Sequence, residues 1–196
     1  MDNTSPEGTA MPPSASGALT RAVLEIDEYV AGLGWDRPAL LFALVDTARL
    51  REEEPGLAER LDAGEDGEGD GGEARETGDL TPVEQDELPA GVPLDEFLAT
   101  IAWPDAVTGC ALTVERLMLP PSAEKAIPEG LSERDLSDWV ARHPERREVR
   151  MTVGVLRDGR RESAIRLREK DSTTEVLTGA GLVPGLAEAL RATFED

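Results

Sequence analysis

Two side chains in this sequence could in principle do nucleophilic or metal chemistry, the single cysteine Cys110 and the single histidine His143. A catalytic thiol needs its pKa lowered by a base, a cation or a helix N-terminus. Cys110 lies in "VTGCALTVERLML", where strand alternation groups it with Leu112 and Val114. Gly109, Ala111, Thr113 and Glu115 fall on the other face. On the apolar side a free cysteine behaves as a small hydrophobe. His143 falls in "ARHPERR", at a helix end before Pro144, and nothing local ties it to Cys110. Cys110 is therefore expected to be a packing residue. One cysteine also excludes an intramolecular disulfide and a cysteine-built zinc or iron–sulfur site. One histidine argues against most catalytic zinc sets.

Two glycine-rich stretches invite a ligand reading. "TEVLTGAGLVPGLAEAL" has the strand, loop and helix of a phosphate site. A dinucleotide fingerprint, however, needs G-x-G-x-x-G in an early βαβ unit and an acid about 20 residues on. Pro184 occupies the third glycine's place and is better read as a first-turn helix residue. "DGEGDGGEARET" (66–77) opens like a calcium loop with Asp66, Glu68, Asp70 and Gly71. Its twelfth position is Thr77 where a bidentate Glu belongs. Weak divalent-cation condensation is expected there, not a specific site. With no G-x-S-x-G, P-loop or metal-binding histidine motif, the sequence leans away from an enzyme and calls for no cofactor.

The chemistry that stands out is cationic. Residues 142 to 170 carry ten of the twenty bases against five acids, in a chain whose net charge is −21. Within this stretch "EVRMTVGVL-RDG-RRESAIRLRE" reads as a hairpin. A two-residue Asp-Gly turn would align Ala164 and Arg166 with the valines, a poor core. A three-residue loop, Arg157 to Gly159, aligns Ser163, Ile165 and Leu167 with Val149, Met151, Val153 and Val155. Gly159 is then the left-handed residue of a bulged turn. In this register Arg150 faces Arg166 across the strands, with Arg168 beside them and opposite Glu148. Like charges in that relation repel. Glu148, Glu162 or a neighbouring strand would be the local compensation. The sharper expectation is that Arg150, Arg166 and Arg168 form an exposed surface for an acidic partner or for the chain's own acidic segment.

The elements that must position these groups follow from periodicity. Residues 1–16 read as a disordered tail. A helix carries Leu19, Val23, Ile26, Val30 and Leu33, and "ALLFALV" (39–45) suits a strand covered on both faces. Asp46 or Thr47 caps the next helix. Residues 62–79 hold eight acids, six glycines and one arginine, the composition of a mobile linker. A helix near Leu94–Ile101 and a strand over 107–119 follow. Ser132 caps a helix with Leu136, Trp139 and Val140. The hairpin, a short strand "TEVLT", and a helix with Leu186, Leu190 and Phe194 complete the chain. The expectation is a single α+β domain over 17–196, interrupted at 62–79, with a mostly antiparallel sheet of four to five strands covered by helices.

The charge repels nucleic acid and anionic lipid, so neither is expected as a partner. No apolar run approaches the roughly 20 residues of a membrane span, and the N-terminus lacks a signal-peptide pattern, which points to the cytoplasm.

Four stretches together, "LTPVEQ" (80–85), "WPDAVTGCALTVERLMLPP" (103–121), "EVRMTVGVLRDG" (148–159) and "VLTGAGLVPGLAEALRATF" (176–194), carry a resemblance. They are similar to an uncharacterised actinobacterial family named after a propionibacterial representative. The resemblance implies a cytoplasmic actinobacterial protein with no established activity, cofactor or catalytic residues. The reading that remains is a non-enzymatic protein–protein interaction or chaperone-like module. A small-molecule-binding regulator or an enzyme is the alternative.

Overall fold

Six strands of the computed structural model form one antiparallel sheet, clamped between a long N-terminal helix and a shorter C-terminal one. It describes residues 15–53, 55–56, 78–85, 88 and 92–195. Of the tail expected over 1–16, residues 1–14 lie outside the described residues, as does the acidic segment at 62–77, whereas residues 15 and 16 already belong to the first helix. Gly78 and Asp79, the last two residues of that segment, join the fold. Asp79 pairs with Arg21, and its carbonyl accepts from the Thr47 amide (3.0 Å).

In chain order the elements are α1 (Ala15–Gly32), β1 (Leu40–Asp46), α2 (Thr47–Glu53), β2 (Leu80–Glu84), α3 (Leu94–Leu98) and β3 (Val107–Met118). Then come α4 (Pro121–Glu124), α5 (Glu133–Arg142), β4 (Arg147–Leu156), β5 (Arg161–Leu167), β6 (Leu177–Thr178) and α6 (Pro184–Ala192). The sheet order is β2-β1-β3-β4-β5-β6, and every pairing is antiparallel.

The sheet has six strands where four to five were expected, and the extra one is β2. Pro82 sits in the middle of "LTPVE", which reads against a strand. β2 is an edge strand, where proline is tolerated. The Thr47 amide donates to Asp79 and the Gln85 amide to Leu41 (2.8 Å), so the bonded pairs fall on odd residues of β2. Pro82 therefore turns its ring nitrogen to the open side, where no donor is needed.

Local signals act where they stand. Asp46 Oδ1 accepts from the Arg49 amide (3.0 Å) at the start of α2, and Ser132 accepts from the Asp135 amide at the start of α5. The β4–β5 hairpin closes through Arg157–Gly159, with Gly159 at φ 88°. Its register pairs Arg150 with Arg166, Met151 with Ile165 and Val153 with Ser163.

Both faces of the sheet are covered. On one, Leu41, Cys110, Leu112, Val114, Val153 and Val155 pack with Ala187 and Leu190 of α6 and Leu98 of α3. On the other, Leu19, Val23, Ile26 and Val30 of α1 pack with Leu40, Phe42, Leu44, Ala111 and Ala164. α1 comes close because its contact positions include Ala18 and Ala22 and because β4 offers Gly154 beneath it. A Cβ at Gly154 would stand 2.7 Å from Val23 Cγ2. This second covering changes the meaning of the arginine row.

Candidate functional site

Arg150 and Arg166 do face each other across β4 and β5, yet neither is a surface residue. Their side chains are 0% and 3% exposed, because α1 lies over that face. This corrects the expectation of an exposed anion-facing pair.

Each guanidinium has its own internal acid. Arg150 Nη2 donates to Glu115 Oε1 (2.8 Å), the residue directly across from it on β3, and to the Gly34 carbonyl. Arg166 donates from Nε (3.0 Å) and Nη2 (2.6 Å) to Asp27 Oδ2 on α1, and from Nη1 to Asp171 (3.2 Å). Burial works against the Arg166 charge, but the bonds to Asp27 and Asp171 outweigh it and hold its pKa above the ordinary value. The repulsion between the two arginines is relieved by turning one toward β3 and the other toward the helix.

The segment after α1 seals this layer. Trp35 donates its indole N–H to Asp171 (2.8 Å) and lies under two guanidinium groups, Arg150 at 4.4 Å and Arg168 at 5.5 Å from the ring centroid. Nε and Nη1 of Arg150 have no hydrogen-bond partner among the described residues, and the ring face supplies the compensating contact. Asp36, at φ 65°, turns its backbone so that its amide donates to Glu115 (2.8 Å). Its carboxylate takes both Nη groups of Arg168 (2.9 Å each), which also reaches Glu148. Asp36 is held below the usual carboxylate range by Arg168. Arg168 is the one member of the row that reaches the surface, half-exposed between these acids. The row is an internal electrostatic layer joining α1 to the sheet.

Sequence reasoning missed Asp27, Trp35 and Asp171. One signal was present: Asp27 is an acid on the apolar stripe of α1, four residues after Val23 and three before Val30. An acid there requires a buried cation to meet it.

The other sequence-marked residues are structural in position. Cys110 is fully buried between the sheet and α6, with the Leu190 carbonyl and Thr193 Oγ1 as its polar neighbours at 4.0 and 3.9 Å. Burial pushes its pKa up to about 12, the opposite of what a nucleophile needs. Pro184 stands in the first turn of α6, and Gly159 at the hairpin tip. Among the described residues no three of His, Cys, Asp and Glu converge to hold a metal ion.

One open stretch lies in the excursion between β3 and β4. Among the described side chains of 119–146 only Leu119 and Ala123 are fully buried. α5 is strongly amphipathic, yet Leu136, Trp139 and Val140 on its apolar side are all half-buried. Trp139 packs against His143 with ring centroids 4.9 Å apart, and His143 Nδ1 accepts from the Glu145 amide (3.2 Å). A groove of about 500 Å³ runs along this helix, lined by Leu131, Asp135, Asp138, Trp139, Arg142, His143 and Pro144. At its C-terminal end β3 leaves Leu117 and Met118 exposed by 40% and 41%. Nothing in the groove is arranged as nucleophile, base and oxyanion donor.

Fold and surface together define a small α+β domain with helices packed on both faces of its sheet and with α5 incompletely covered. The chain belongs to the PPA1309-like protein family, an uncharacterised family named after a propionibacterial protein, whose pattern matches residues 19–195. No curated protein and no solved structure matches the chain. No helix among the described residues is long and apolar enough to cross a membrane.

Proposed function

We propose that this is a cytoplasmic, non-enzymatic protein–protein interaction or chaperone-like module of an actinobacterium, and that partners dock on the excursion between β3 and β4. The half-buried apolar side of α5, with Trp139 at its centre, carries the reading. An amphipathic helix normally turns its apolar stripe into a core. Here the stripe is incompletely covered, and the end of β3 that leads into the excursion exposes Leu117 and Met118. Aromatic anchors ringed by polar groups are the usual centres of protein interfaces.

The test is affinity capture from the native cytoplasm with mass spectrometry, run in parallel on the wild-type chain and on Trp139→Ala. A specific partner held by the first and lost from the second supports the reading. A partner held equally by both moves the interface elsewhere. A small-molecule-binding regulator is the second reading, favoured by the groove's size, which lies within the range of ligand pockets. A small molecule released on denaturing the purified protein would favour it.

A further inference from the structure

We infer that the segment docking on α5 is a basic one, presenting Lys or Arg among apolar residues; this rests on the interaction reading above. Asp135, Asp138 and Trp139 lie three and four residues apart, so they share one face of α5 and one wall of the groove. The Asp135 carboxylate is fixed by the Ser132 hydroxyl (2.6 Å). Asp138 has no hydrogen-bond or ion-pair partner among the described residues. A cation set against the Trp139 face would meet the ring's negative quadrupole and a carboxylate at once. Leu131, 36% exposed, offers apolar contact for the stem of such a side chain.

Arg142, one turn on from Asp138 on the same face, is the one guanidinium among the described lining residues; it forms no ion pair with Asp138, and the groove's two carboxylates outnumber it. At long range the field of the whole chain acts in the same direction, although the base-rich stretch that begins at Arg142 borders the groove. A net charge of −21 accelerates the approach of basic segments and slows acidic ones.

The test is a titration of the isotopically labelled full chain, following the Trp139 indole N–H and the amides of α5. Three probes suffice: an octapeptide with two arginines among leucines, the same peptide with glutamines, and spermidine. The inference expects saturable shifts around Leu131–Pro144 with the arginine peptide, weakened by added salt. Trp139→Leu should lower that affinity by about tenfold or more, the loss typical of an aromatic anchor. Asp138→Asn should lower it by about threefold, as for an exposed ion pair. Asp138 is the residue to change, because Asp135 also serves the helix cap.

If the glutamine peptide binds as well, the basic-partner inference falls while the docking reading stands. If no peptide shifts α5, and Trp139→Ala leaves partner capture unchanged, both fall. Shifts spread over the whole surface and insensitive to Asp138→Asn would reduce the effect to diffuse attraction. Spermidine binding as tightly as the arginine peptide would make the groove a small-cation site instead.

Discussion

Arg166 places Nε and Nη2 on one oxygen of Asp27, at 3.0 and 2.6 Å, with both side chains almost wholly out of solvent. This pair bolts α1 to β5, elements 139 residues apart in the chain. Such pairs are costly to break and cheap to replace, because the cost of one buried charge appears only when its partner is removed.

Asp27→Ala should therefore destabilise the fold by about 3 kcal/mol, less whatever Asp171 recovers for Arg166. The double substitution Asp27→Leu with Arg166→Met should regain most of that loss. Urea unfolding of the three proteins decides it. A single substitution costing under about 1 kcal/mol would mean that water reaches the pair.

Trp35→Leu should cost about 2 kcal/mol, from two lost cation–π contacts and the bond to Asp171. Trp35→Phe keeps a ring and loses the donor, so it should fall between the two. Equal unfolding midpoints for all three proteins would show that the ring merely covers the arginines.

For Cys110 the sign of the pH dependence is fixed by burial. The folded thiol titrates at about 12 rather than at 9.0, so above the unfolded value the unfolded chain has lost a proton that the folded chain retains. This contribution is intact below about pH 9 and declines as pH rises toward 12, by about 1.4 kcal/mol per unit. Cys110→Ala should show a shallower alkaline decline than wild type, at a cost within about 2 kcal/mol near neutrality. Thiol reagents should label the native protein far more slowly than the unfolded one. Matching alkaline slopes would contradict the assignment.

Gly154→Ala should destabilise by about 1 to 3 kcal/mol, since the new methyl meets Val23 Cγ2 at 2.7 Å and Leu19 Cδ1 at 3.0 Å. Pairing it with Val23→Ala should recover part of the loss. If the single substitution is neutral by thermal unfolding, α1 sits further from β4 than the contact implies.

Much of the fold was legible because it is written locally. The Asp46 and Ser132 caps, the three-residue loop with Gly159, and the apolar run of β1 each depend on residues within a few positions. β2 was not legible, because Pro82 is excluded from a central strand but not from an edge, and edge position is a property of the assembled sheet. In the candidate site, the helix and its Trp139 could be read. That its apolar side would be left half-covered could not.

The sequence by itself determined the hairpin register and hence that Arg150 and Arg166 stand opposite each other, since side-chain direction in strands has a period of two. Alternation says which residues share a face and is silent on what covers that face. Only the tertiary structure decided that α1 closes over the arginines, through long-range pairing of Asp27 with Arg166 and close packing over Gly154. Burial in place of solvent turned the same row of charges from an expected binding surface into a structural layer. It left α5, in the excursion between β3 and β4, incompletely covered.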